Sequence, residues 1–339
     1  MAMSPESARN STDRINIINI ALMLLSALLA YAWPFYLFLV AYAVLGPLHY
    51  LTEISWLHDH QYYTSRKSDA LFLLVIGVLY GAMVVLGYSA LKIIPNMILL
   101  ALVGSFILVF TANWFARIAL IVAGSALVFI VPMSLSTLIV AMMLLTIFHV
   151  FVFTGCFILI GSMRSHSRSG YISFSVFVAV ALFLLLFRSL PSGGVADSFV
   201  VQHYGRGFGD VNVVLLRAFN ASPLGVTASD PFEFSAGAVA IMRFIAFAYL
   251  YHYLNWFSKT KIIRWHEVSK LRMGLVLSLW IAAVIFYFID YDLGLRVLFT
   301  LSALHVLLEF PLDVRTMLGI VTHFGKRVKS VGVRLEPAQ

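Results

Sequence analysis

The sequence predicts an all-α, polytopic transmembrane helical bundle of about ten helices, with the N-terminus and C-terminus cytoplasmic. Three observations predict it. Of 339 residues, 61% are hydrophobic and only 11% charged, with a mean hydropathy of +0.95, whereas soluble domains average about 45–50% apolar and ~25% charged. The apolar residues fall in successive runs of about 20, the length at which a helix rising ~1.5 Å per residue crosses a ~30 Å hydrocarbon core. The runs are continuous rather than alternating, which excludes a transmembrane β-barrel.

The first run, 15–33, follows Arg9 and Arg14. It reads as a membrane helix rather than a secretory signal, because no polar domain follows and a new apolar run starts directly after Pro34. The next spans are 35–57, 69–91, 95–114, 115–133, 135–162, 171–189, 236–258, 271–290 and 294–312. The divisions near Arg117 and Pro132 rest on length and on proline's missing N–H. Orientation comes from the retention of Lys and Arg in cytoplasmic loops. With the N-terminus inside, seventeen of the 23 basic residues fall on the inner side, leaving Lys92, Arg188, Arg206, Arg217, Arg243 and Arg296 outside.

This organisation gives a cytoplasmic tail over 1–14, one transmembrane domain over 15–320 and a basic cytoplasmic tail over 321–339, in a cytoplasmic (inner) membrane. Residues 190–235 form the one long stretch without helical character. Its six glycines and three prolines are mixed with aromatics such as Phe199, Tyr204 and Phe208, which reads as an extracytoplasmic lid rather than a linker. The pI of 9.6 and net charge of +8 match anionic lipid, not nucleic acid, since no soluble segment is long enough for a basic binding domain. Cys156 lies alone in an apolar run and reads as helix packing.

Ionisable side chains are costly in membrane helices, so their positions carry the functional information. Four of ten histidines lie within spans: His49, His149, His252 and His305. Their helices are the second, sixth, eighth and tenth, all running from outside to inside. Counted from the helix starts, the offsets are 14, 14, 16 and 11, a spread of about 7.5 Å along the axis. The four imidazoles therefore share a layer. Glu53 stands four residues after His49 and Glu309 four after His305, placing each pair on one helix face.

A lone membrane histidine ordinarily hydrogen-bonds between helices, but four at one depth point to a metal. Neutral imidazole suits iron, zinc and copper and adds no net charge. Glu53, Glu309 and Asn255 are then candidates either to orient the rings or to ligate. All-histidine ligation with open positions fits non-haem Fe(II). The chain has no clustered His-x-x-His-His box of the desaturase kind. Bis-histidine haem is the rival cofactor; an ion or lipid transporter or a membrane scaffold is the non-enzymatic alternative, with Pro47 and Pro132 as hints of broken helices. Tyr50, Tyr251, Tyr253 and Trp256 are the candidates for lining a slot for a hydrophobic substrate.

The order and spacing of Gly46-Pro47-Leu48-His49 with Glu53, Thr146-Ile147-Phe148-His149, Tyr249-Leu250-Tyr251-His252, and His305 with Glu309 resembles the Brp/Blh family of membrane β-carotene 15,15′-dioxygenases, over most of the chain from His49 to Asp313. The resemblance implies a ferrous iron oxygenase acting on a lipid-soluble polyene or isoprenoid. The chain departs from that pattern in two places. Leu48 separates proline from histidine, and Trp256 stands where the family's third motif has a second histidine. A family-like site thus requires His305, Asn255 or a carboxylate to complete it.

Overall fold

The computed structural model describes residues 5–87, 93–130, 135–186, 199, 202–205, 208 and 236–332. Among these the chain is helical, with no strand. Ten apolar helices follow one another: α1 Pro5–Ala32, α2 Pro34–Asp59, α3 Ala70–Val85, α4 Ile93–Phe110, α5 Trp114–Ile130, α6 135–165, α7 Arg168–Leu186, α8 Ala236–Ser258, α9 Lys270–Ile289 and α10 Tyr291–Gly332. Eight are long and apolar enough to cross a membrane, and α3 and α5 are shorter apolar helices. The chain is a polytopic helical membrane protein.

The ten helices alternate in direction. Where α1 begins, which we call the near face, Asn16 donates to Ser167 and Ser169, Arg272 pairs with Asp59, and Trp56 donates to the Ile263 carbonyl. At the far face Arg243 lies over the Tyr31 ring and Arg296 donates to the Val85 carbonyl. The divisions of the long apolar stretch have local causes. The break expected near Arg117 falls at 111–113, where Asn113 Oδ1 caps α5 by accepting from the Phe115 and Ala116 N–H groups. Arg117 is inside α5, buried, and paired with Asp69 at 2.6 Å. Pro132 lies outside the described residues.

Two helix ends differ from expectation. Helix begins at Pro5 rather than near 15. The last helix, expected to stop at 312, continues through Pro311 to Gly332 and takes in part of the basic tail. Pro311 removes one donor from a ladder whose neighbours hold the helix in place, so it does not end it.

Packing sorts the helices into centre and rim. Helix α8 has 83% of its apolar window buried, α2 and α10 61% each, whereas α9 has 17% and α1 22%; the last two therefore turn most of their surface outward to lipid. The centre is built by α2, α6, α8 and α10, with α2 and α6 each packing on both α8 and α10. One apolar cluster joins α1, α7 and α8 with the first half of α2; a second joins α3, α4 and α10. Small residues let the second close tightly. A Cβ on Gly77 of α3 would stand 2.5 Å from Leu304 Cδ1 of α10. Both α2 and α6 contain π-helical turns, at Ala41–Leu45 and Leu144–Phe153. Such turns shift the register of all that follows and recur at functional sites.

Of the segment expected to form a lid, six residues are described. Tyr204 and Phe208 are buried, packing edge-on against Phe38, and Phe208 also meets Tyr42 and Phe299. Tyr291 at the start of α10 donates to the His203 carbonyl. This part of the segment is thus wedged among α2 and α10 at the far face.

Candidate metal centre

The four central helices each deliver one histidine to a common point. His49, His149, His252 and His305 are all buried, and each offers a ring nitrogen within 4.8 Å of the other three. His49 Nε2 and His252 Nε2 are 2.9 Å apart, and His149 Nε2 and His305 Nε2 are 3.0 Å apart. The rings stand steeply to one another, at 69–84° between planes. Ring nitrogens therefore converge on one point from four directions. His149 sits inside the π-helical turn of α6, whose wider coil sets that ring's direction.

A metal fits this donor set. Bonds of ~2.0–2.2 Å to imidazole nitrogen place ligands about as far apart as the four already lie. Four imidazoles bring no charge, so a divalent ion bound here would keep its charge for carboxylates or substrate. A haem fits less well, because nitrogens already in mutual contact leave no slot for a macrocycle between axial partners. The buried four-histidine group is therefore a candidate metal site, and the residues themselves do not specify iron over zinc.

The outer nitrogens distinguish the rings. His252 Nδ1 lies 2.8 Å from Thr154 Oγ1, so with Nε2 turned to the metal position the Nδ1–H donates to the hydroxyl. His305 stacks on Tyr50 at 4.2 Å, and the Tyr50 hydroxyl is 2.7 Å from that of Tyr253. Trp256 stands beside His49, with centroids 5.4 Å apart and its indole N–H donated to Thr52 Oγ1. Trp256 is thus a wall of the site, and His305 occupies the fourth position that the sequence left open.

The two His-x-x-x-Glu pairs, equivalent in sequence, are not equivalent in space. Glu53 Oε2 lies 3.0 Å from Nε2 of its own His49, on the side where the rings converge. Glu309 Oε2 instead lies 3.1 Å from Nδ1 of His149 on α6. It backs a ring from another helix rather than its own His305. Two expectations require correction. Asn255 and Tyr251 face away from the histidines: the Tyr251 hydroxyl donates to Asn19 of α1 and to Asn255 Oδ1, and its ring packs on Phe177 and Phe247. On α8 they belong to the face that seats α1 and α7.

The space beside the site is also lined differently from expectation. A cavity of about 70 Å³ is bounded by Phe38, Tyr42, Tyr80, Met142, Thr146, Ile147, Ile245, Tyr249, Phe299 and Ser302, with Tyr204 and Phe208 closing it. Thr146, Tyr249 and Ser302 each precede a site histidine by three residues, about one turn, so the cavity lies immediately to the far-face side of the histidine layer. None of Tyr50, Tyr251, Tyr253 or Trp256 lines it. Thr154 and the cavity residues were missed because they carry no unusual chemistry; only Thr154's place on the helix of His149 offered a hint. Compared with protein-family models, curated proteins and solved structures, the chain matches none.

Proposed function

We propose that this protein is a membrane-embedded non-haem iron oxygenase that cleaves a carbon–carbon double bond of a lipid-soluble polyene or isoprenoid, as the resemblance to Brp/Blh dioxygenases implies. The observation that carries the reading is the convergence of four buried imidazole nitrogens one turn from an aromatic-lined cavity. His49, His149, His252 and His305 would hold the iron. Iron held there would supply the activation of O₂ toward an alkene.

The remaining residues hold and exclude. Thr154 fixes the tautomer of His252, and Tyr50 holds the plane of His305. Phe38, Tyr42, Tyr249 and Phe299 offer flat apolar faces to a conjugated chain, while Tyr204 and Phe208 close the far-face side against water. The overall change adds both atoms of O₂ across one C=C bond and gives two carbonyls, with no outside reductant.

The test uses protein purified in detergent, loaded anaerobically with Fe(II) and given a long-chain polyene under ¹⁸O₂. The expected products are two carbonyl fragments labelled from the gas, with iron retained through desalting and no Soret band. His149→Ala and His252→Ala should lose the iron. A Soret band, or iron content no higher in the wild type than in these variants, would overturn the reading.

A further inference from the structure

Beneath the histidines, toward the near face, lies a second group of buried donors. Helix α10 places His305, Glu309 and Asp313 four residues apart along one stripe, ~6 Å of rise per step. Glu309 and Asp313 are both buried, with Asp313 at 0% exposure. Neither oxygen of Asp313 has a hydrogen-bond partner in the protein, nor has Glu309 Oε2 or Glu53 Oε2. Among the described residues no Lys or Arg pairs with any of the three carboxyls. Isolated carboxyls in a membrane interior are expensive as anions, so they either keep their protons or acquire a compensating cation.

His149 points into the same place. Its Nδ1 has no aligned hydrogen bond, yet it lies 3.1 Å from Glu309 Oε2. Donor atoms of His149, Glu309 and Asp313 all lie within 4.8 Å of one another, as do those of the four-histidine group. His149 thus presents Nε2 to one group and Nδ1 to the other. Glu53 reaches the boundary, with Oε2 3.0 Å from His49 Nε2 and its carboxyl against that of Glu309.

We propose that His149, Glu309 and Asp313 hold a second divalent transition-metal cation, about one helical turn from the four-histidine site, with Glu53 standing between the two positions. One imidazole and two carboxylates make a donor set suited to a first-row divalent ion and offset its charge, which the neutral histidine group does not. With both nitrogens occupied, the His149 ring would bridge the ions, and its ring proton leaves to solvent together with the protons held by the Glu309 and Asp313 carboxyls as the second ion binds. The proposal builds on the reading of the histidine group as a metal site, with which it shares His149.

Cobalt(II) titration of the metal-stripped full chain in detergent tests it, with bound metal counted after desalting and the visible spectrum recorded. The expected result is two cobalt ions per chain, one giving the strong absorption of a nitrogen-rich tetrahedral site and one a weaker spectrum. Asp313→Asn should keep the first and weaken the second at least 100-fold. His305→Ala should lose the strong band and keep the second ion. If Asp313→Asn elutes as aggregate, Glu309→Gln makes the same test.

One ion per chain, lost in His305→Ala and unaffected by either carboxylate change, would overturn the second site while leaving the four-histidine reading intact. One ion lost in Asp313→Asn but kept in His305→Ala would support the carboxylate site and sink the other. No bound cobalt in the wild type would overturn both.

Discussion

Thr154 offers the sharpest probe of the four-histidine site. Its hydroxyl lies 2.8 Å from His252 Nδ1 and is buried with it. Replacing it by valine keeps shape and volume while deleting the acceptor. Without metal, His252 can carry its proton on Nε2 and donate to His49 Nε2 at 2.9 Å, so the change strands only an Nδ1 lone pair. With metal on Nε2 the proton must sit on Nδ1, and Thr154→Val then strands a buried N–H at a cost of ~1–3 kcal/mol. Loss of an outer partner of a ligating histidine ordinarily weakens metal affinity about 10–100-fold, equivalent to ~1.4–2.8 kcal/mol. The two routes agree, which places the penalty on the metal-bound form. Chelator-buffered metal titration of the detergent-purified protein measures it, and Thr154→Ser should restore near-native affinity. Equal affinity in wild type and Thr154→Val, or equal loss in the serine and valine variants, would refute the assignment of Thr154 as the residue that fixes the His252 tautomer.

Tyr253→Phe removes the hydrogen bond to Tyr50, which stacks on His305; a stability loss of ~1 kcal/mol with metal content retained is expected in thermal denaturation, and loss of metal would mean that Tyr253 does more than position Tyr50. Ser302→Leu pushes a branched side chain into the 70 Å³ cavity and should abolish polyene turnover while iron binding persists, as read by metal analysis beside product formation; undiminished turnover would show that substrate enters elsewhere. Asp69→Asn strands the buried Arg117 guanidinium and should cost ~3–5 kcal/mol, with Asp69→Asn/Arg117→Met recovering most of it. A melting temperature unchanged by the single substitution would mean that the carbonyls of Leu108 and Thr111 satisfy Arg117 on their own.

Much of this architecture is local and was legible in the chain. Span length and composition give ten apolar helices because each run must satisfy its own backbone inside lipid, and only a helix does so within one segment. Depth is equally local. A rise of ~1.5 Å per residue converts the position of His49, His149, His252 and His305 within their runs into one layer, and the four do meet. The far end of the last helix was misread because Lys and Arg after 325 resemble a solvated tail, although lysine and arginine are good helix formers.

Rotation about each helix axis was not legible. In a soluble helix the apolar stripe announces the buried face; here nearly every face is apolar, so the sequence of α8 does not say whether His252 or Tyr251 looks inward. Packing decides it. The π-helical turns in α2 and α6 shift the faces that follow them, and the fit of α8 against both α1 and α2 sends Tyr251 to Asn19, with Asn255 beside it, and His252 to His49. For the same reason Glu309 lies beside His149 rather than serving its own helix's histidine. Sequence thus determined how deep each donor lies, through the fixed rise of the helix, while tertiary structure determined which donors face one another, because in an apolar medium only side-chain packing fixes the angle at which each helix is turned.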